Sequence, residues 1–289
     1  MIPNMKPGPV NLNGQLLSAL PEPMAEVQRA MYYGDGLFET IRVFDGQAPN
    51  WPDHWERLSR GFELLGFTPP VIWSESFFKT EIKRIMHPNA RIRLMVWRSP
   101  GGFYLPTQHH PQFLITSEPL ASGRYEWVEQ GLSMSLCNSV QLPVDTLSGL
   151  KMLGGTRYIA AAREARMKGQ DDGLLLNSLG NIAEATSSNV FWIKNGEVFT
   201  PAPGEGQVKG ILQGRLSSIL QTKGLKLHEK CASPEELLNA DELFLTNAIQ
   251  GIRWVREFEN VPYGYEITKH LYQLLNQELE FKKAEKSWV

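Results

Sequence analysis

Ser148-Gly149-Leu150-Lys151-Met152-Leu153-Gly154-Gly155 and, after an apolar-periodic segment, Gly180-Asn181-Ile182-Ala183-Glu184-Ala185-Thr186-Ser187-Ser188-Asn189-Val190 decide how this chain is read. Lys151 sits among Gly, Ser and Leu, without the polar company of a surface lysine. Glu184 is the single acid in a run of small residues, and small residues let a flat ligand approach the backbone. Burying an unpaired carboxylate is costly, so an acid in that setting needs a partner. A lysine in an apolar pocket has a depressed pKa, and its free amine is then a nucleophile towards aldehydes.

The bulk properties narrow the class. The chain has 289 residues, 42% of them hydrophobic, enough for large cores and two domains. Its net charge of −2 gives no electrostatic case for nucleic acid or an anionic membrane. No long apolar run or signal-peptide pattern is present, so a cytoplasmic protein is expected. Cys137 and Cys231 are too few for a disulfide framework or a cysteine-based metal site, and both read as buried or half-buried thiols. No metal is expected.

Along the chain, Val10-Asn11-Leu12 reads as a strand before the turn dipeptide Asn13-Gly14. The later half of Tyr32 to Phe44 alternates like a strand, with Asp45-Gly46 as its turn. A helix is expected from Asp53 through Leu65, with Asp53 as N-cap and Leu58, Phe62 and Leu65 on its core face. On residue type alone, Arg57 on that helix is a solvated arginine. His54 reads as structural. A second helix is expected from Ser76 to Met86, with Phe77, Phe78, Ile82 and Ile85 inward. Residues 91–97 alternate as a strand leading into Arg98-Ser99-Pro100-Gly101-Gly102, read as a flexible loop, and 112–117 form another. The expected division is a first domain over 1–118, a linker over 119–123 and a second domain over 124–289.

In the second part, 132–136 read as a strand. Lys151 leads into a helix ending at Lys168-Gly169. Strands are expected at 173–177, 185–194, 198–200 and 240–248. A helix opens at Gly210-Ile211-Leu212, and a helix N-terminus suits a phosphate. The Leu-rich stripe of 265–282 reads as a packing helix.

The ordered set Lys151, then Glu184-Ala-Thr-Ser-Ser-Asn189-Val190-Phe191, Thr200-Pro201 and Gly210-Ile211 resembles the class IV aminotransferase family, the fold-type IV pyridoxal-phosphate enzymes, over roughly residues 30–255. The resemblance implies a two-domain α/β (α+β) fold, a smaller α/β domain followed by a β-barrel-like domain with helices. It implies pyridoxal 5′-phosphate held as a Schiff base by Lys151, which also shuttles the substrate proton. Glu184 would pair with the pyridine nitrogen and preserve the ring's capacity to accept electrons. Arg57, in the pattern His-x-x-Arg-Leu, would hold the phosphate with the Gly210-Ile211-Leu212 amides and Asn247. Val208 would lie against the ring. A homodimer is implied, with loops of one copy covering the pocket of the other.

Within that family the local residues are most similar to aminodeoxychorismate lyases. Phe38-Glu39-Thr40 resembles their Phe-x-Thr pattern, Arg98-Ser99-Pro100-Gly101-Gly102 their Arg-x-x-Gly-Gly loop, and Asn247-Ala248 their Asn-Ala pair. Tyr33, Phe38, Thr40 and Arg98 are the implied substrate contacts. The alternative is a branched-chain or D-amino-acid aminotransferase, and a more distant one is a non-catalytic cofactor-binding protein. Branched-chain members place a tyrosine shortly after the lysine; here Thr156 falls near that slot and Tyr158 is displaced.

Overall fold

A computed structural model describes residues 10–12, 15–17, 22–224 and 226–284. Strands β1 (Val10–Leu12) and β2 (Gln15–Leu17) pair antiparallel; the expected turn at Asn13-Gly14 lies outside the described residues. Short helices α1 (Glu22–Glu26) and α2 (Gln28–Tyr33) lead to β3 (Gly36–Val43), α3 (Trp51–Leu64), α4 (Glu75–Lys83), β4 (Ala90–Arg98) and β5 (Pro111–Pro119). The last three strands form one antiparallel sheet in the order β3-β4-β5.

The two faces of that sheet differ because side chains alternate along a strand. Leu37, Ile41 and Val43 join Ile92, Leu94 and Val96 in a core closed by Trp51, Leu58, Phe62, Phe78 and Ile82 of α3 and α4. The intervening residues Phe38, Thr40 and Arg42, and across from them Arg91, Arg93 and Met95, point the other way. Asp53 does not cap α3. The helix starts two residues earlier, at Trp51-Pro52, where proline is tolerated in the first turn, and Asp53 instead pairs with Arg215. Ile85 lies beyond the end of α4 and is exposed, because the helix stops at Lys83.

The rest of the chain runs β6 (Leu132–Leu136), α5 (Thr156–Met167), β7 (Asp172–Leu176), β8 (Ile182–Ala185), β9 (Asn189–Lys194), β10 (Glu197–Pro201), α6 (Ile211–Thr222), β11 (Leu227–Lys230), α7 (Pro234–Leu238), β12 (Glu242–Asn247), β13 (Gly251–Phe258), β14 (Val261–Pro262) and α8 (Glu266–Ala284). The sheet order is β11-β10-β9-β12-β13-β6-β7-β8, with β14 on β13. It curls until β8 approaches β9 and β10, giving a half-barrel with helices outside. Leu271, Leu274, Leu275 and Leu279 of α8 pack on Leu212, Leu216, Ile219 and Leu220 of α6, as the leucine stripe predicts.

The expected strand over 185–194 is two strands. Thr186 turns away to bond Asp172 through both its hydroxyl and its amide, and the Ala185 amide donates to the Ser188 carbonyl. Small polar side chains compete with the ladder by offering the backbone local partners. Neither cysteine is in a disulfide. Cys137 is buried as expected, but Cys231 is exposed at the end of β11. No helix among the described residues is long and apolar enough to cross a membrane.

Candidate active site

Strands β6 and β7 are parallel, so the chain must cross over between them. Lys151 lies in that crossover, ahead of α5. Its loop is docked on the other sheet: the Phe38 amide donates to the Lys151 carbonyl and the Leu153 amide to the Gly36 carbonyl, each at 2.9 Å. The Lys151 ammonium stands 4.5 Å from the centre of the Phe38 ring and has no hydrogen-bonding or ionic partner among the described residues. Burial lowers its pKa, and the nearby Arg57 charge adds to the effect. That is the poise of an amine that can act as nucleophile and base.

Glu184 faces the site from β8 and is only 5% exposed. No cation pairs with it among the described residues. Burial drives its pKa up to about 7, against hydrogen bonds from the Tyr158 hydroxyl at 2.7 Å and the Val208 amide at 3.2 Å, both to Oε1. Asn189 Nδ2 reaches Oε2 at 3.4 Å and the Val208 carbonyl at 2.9 Å. A buried carboxylate with an oxygen to spare suits a cationic ring N–H.

Arg57 is not a solvated helix residue. Its Nε donates to Glu39 Oε1 at 2.8 Å, one Nη2 hydrogen goes to Glu39 Oε2, and one Nη1 hydrogen to the Lys209 carbonyl. A guanidinium carries five N–H groups, so two remain for a ligand. Glu39 also accepts from His54 Nδ1 at 2.7 Å. Burial opposes its ionisation, but the charge and hydrogen bonds of Arg57, together with His54, outweigh this and hold the carboxyl at about 2. His54 is thus structural, as expected.

The segment 208–210 ties these parts together. Val208 bonds Glu184 and Asn189, the Lys209 carbonyl takes Arg57, and the Lys209 amide meets the Gly149 carbonyl two residues before Lys151. Gly210 then begins α6, whose first turn has no side-chain cap. The amides of Ile211 and Leu212, which have no partner among the described residues, and two free guanidinium N–H groups are a fitting cradle for a phosphate. The donors, the buried carboxylate and the unpaired lysine together fit pyridoxal 5′-phosphate.

Asn247 is joined to this region through Ser188, to which its Nδ2 donates at 3.0 Å. Its Oδ1 closes a turn onto the Ile249 and Gln250 amides, so its side chain is largely committed. Phe38 and Thr40 share the Lys151-facing side of β3. Tyr33 stands apart from them, at the end of α2, against Tyr104.

Arg98 is not available to substrate. It is 4% exposed and lies over Phe67, and it donates to Asp35, the Leu65 and Gly66 carbonyls. The following loop is tethered: Arg29, buried and paired with Asp35, donates to the carbonyls of Gly101, Gly102 and Phe103.

Four residues were given no role by the sequence reading. Glu39 clamps Arg57, Tyr158 and Asn189 attend Glu184, and Arg93 is an exposed guanidinium over the Phe38 ring with no other partner among the described residues. Arg93 lies directly across from Thr40. The spacing of Phe38 and Thr40 on one strand face, with Arg91-Ile92-Arg93 alternating on the next, was the available signal.

Comparison with known proteins gives the family. Residues 36–258 match the family described as amino-transferase class IV. The chain is 26% identical to the aminodeoxychorismate lyase of Vibrio harveyi over 78% of its own length and 83% of that protein. It is 25% identical to the branched-chain-amino-acid aminotransferase of Escherichia coli K12, over 87% and 85% of the two. The crystal structure of an aminotransferase from Brucella abortus bound to pyridoxal 5′-phosphate superposes with a TM-score of 0.78 at 25% identity, covering 93% of this chain and 97% of that one. The expected fold and cofactor are those of this group, and the chain belongs to the class IV aminotransferase family of pyridoxal-phosphate-dependent enzymes.

Proposed function

We propose that this enzyme is a 4-amino-4-deoxychorismate lyase, releasing 4-aminobenzoate and pyruvate. The observation that carries this reading is the pair Thr40 and Arg93, a hydroxyl and a guanidinium facing each other across β3 and β4 on the Lys151 side, neither with a hydrogen-bonding partner among the described residues. A polar, cationic wall suits a substrate bearing carboxylates. A branched-chain side chain would call for an apolar wall there.

When bound, pyridoxal 5′-phosphate supplies an electron sink for the carbon that bears the substrate amino group. Lys151 Nζ, unpaired and desolvated, takes the proton from that carbon. Arg57 and the first amides of α6 would hold the phosphate, Glu184 would pair with the ring nitrogen, and Val208 would pack against the ring. Arg93 and Thr40 orient a substrate carboxylate, which fixes the carbon beside Lys151. The elimination is redox-neutral and needs no 2-oxo acid. The enzyme is read as a cytoplasmic homodimer, with the exposed tip Phe103, Tyr104 and Leu105, held up by Arg29, buried against the second copy.

The test mixes cofactor-loaded protein with aminodeoxychorismate and no 2-oxo acid. Equal, repeated release of 4-aminobenzoate and pyruvate is expected. No release, with turnover of branched-chain or D-amino acids once 2-oxoglutarate is added, would replace this reading with the transaminase.

A further inference from the structure

Two donors converge on one oxygen of Glu184 and leave the other nearly bare. Oε1 takes the Tyr158 hydroxyl at 2.7 Å and the Val208 amide at 3.2 Å, whereas Oε2 has only the Asn189 amide at 3.4 Å. Oε2 is therefore the oxygen open to a ring N–H. We propose that Tyr158 is a positioning residue that keeps Glu184 ionised against the cofactor's ring nitrogen, and so sets where the proton between them rests. The inference depends on reading Glu184 as the partner of that nitrogen.

The physical case is a balance. Burial favours the neutral acid, and a neutral acid opposite the ring would leave the nitrogen as uncharged pyridine. Hydrogen bonds to a carboxylate oppose that, and those from O–H donors are short and charge-assisted. Tyr158 makes the shortest bond to Glu184, and its own pKa is raised by burial and by the neighbouring acid, so the phenol stays a donor. The other groups facing Glu184 are the Val208 amide, the Asn189 amide, the Lys151 amine from the crossover loop and Arg57 from α3. Lys151 would be engaged by the cofactor's aldehyde carbon, and Arg57 is already bonded to Glu39. Tyr158 is then the adjustable donor. It sits in the first turns of α5, seven residues after Lys151, so acid and amine are placed by one continuous segment.

The step is a proton shift along one hydrogen bond, from the ring nitrogen to Glu184 Oε2, with no other bond made or broken. It is read in the holoenzyme loaded with pyridoxal 5′-phosphate carrying nitrogen-15 in the ring, because the nitrogen chemical shift separates pyridinium from pyridine. The wild type is expected at the pyridinium position. Tyr158→Phe is expected to move the signal towards neutral pyridine, and fluorotyrosine at position 158, a stronger donor of the same shape, to move it the opposite way or leave it at the pyridinium limit. In Glu184→Gln the signal is expected to be neutral whether or not Tyr158 is replaced. A Tyr158→Phe holoenzyme as fully protonated as wild type would overturn the inference while leaving the role of Glu184 standing. A neutral ring nitrogen in the wild type would remove both together.

Discussion

The Phe38 amide donates a 2.9 Å hydrogen bond to the Lys151 carbonyl, so the lysine is placed by the three-stranded sheet, whereas Glu184 belongs to the half-barrel. The second bond of this docking, from the Leu153 amide to the Gly36 carbonyl, requires close approach at Gly36. A Cβ there would lie 2.4 Å from the Val96 carbonyl oxygen and 2.7 Å from Leu153 Cδ1. Gly36→Ala is expected to cost about 1–3 kcal/mol by overpacking and to slow covalent attachment of pyridoxal 5′-phosphate, followed by borohydride trapping. Attachment at the wild-type rate would mean that the lysine loop does not depend on this contact.

Glu39 supplies a second dependence. Breaking its buried network with Glu39→Gln leaves Arg57 without its anion, a change of about 3–5 kcal/mol. Because the folded carboxyl is held near 2, below its ordinary 4.5, its stabilisation is complete above pH 4.5 and is lost as pH falls towards 2. Urea unfolding of the two proteins should therefore differ most at neutral pH and converge in acid. A gap that stayed constant between pH 7 and pH 3 would contradict this account.

Glu184 works in the opposite sense. Its folded pKa of about 7 lies above the ordinary 4.5, so in the apoprotein the acid becomes destabilising as pH rises from 4.5 through 7. The shift corresponds to about 3 kcal/mol at pH 8. Glu184→Gln apoprotein should be more stable than wild type at pH 8 and similar to it at pH 4. Saturating cofactor should reverse the order at pH 8, because only the carboxylate gains a cationic partner. Equal melting temperatures of the two apoproteins at pH 8 would count against the strained acid.

What the sequence made legible was residue chemistry. Lys151 and Glu184 stand out because an amine and an acid occur in apolar or small-residue settings, whereas Arg57, among His54, Trp55, Glu56 and Ser59, was marked only by the family resemblance; the helices over 156–167 and 266–284 carry their own end signals and stripes. What it hid depends on through-space register. Glu39 looks like an outward polar residue until α3 brings His54 and Arg57 against the same face. Strand β13 was not read because its buried positions do not alternate, and its pairing with β6 shifts between Val255 and Glu257. Tyr158 looks displaced when counted from the lysine, yet the turn of α5 carries its hydroxyl to Glu184.

Arg93 and Arg98 differ in burial and in what they bond. Arg98 is buried, bonded to Asp35 and to two carbonyls, and Arg29 remains to balance Asp35 if it is lost. Arg98→Met should therefore lower stability by about 1.5–3 kcal/mol, the scale of hydrogen bonds from a charged donor, with KM little changed in the protein that remains folded. Arg93 is exposed, and its guanidinium lies over the Phe38 ring with no hydrogen-bonding or ionic partner among the described residues. Arg93→Met should leave stability within about 0.5 kcal/mol and raise KM for a carboxylate-bearing substrate about 10- to 100-fold, the loss of one charged hydrogen bond in binding. Urea midpoints and steady-state kinetics on both variants separate the two roles. A raised KM in Arg98→Met at unchanged stability would return Arg98 to the substrate and leave Arg93 as a surface residue.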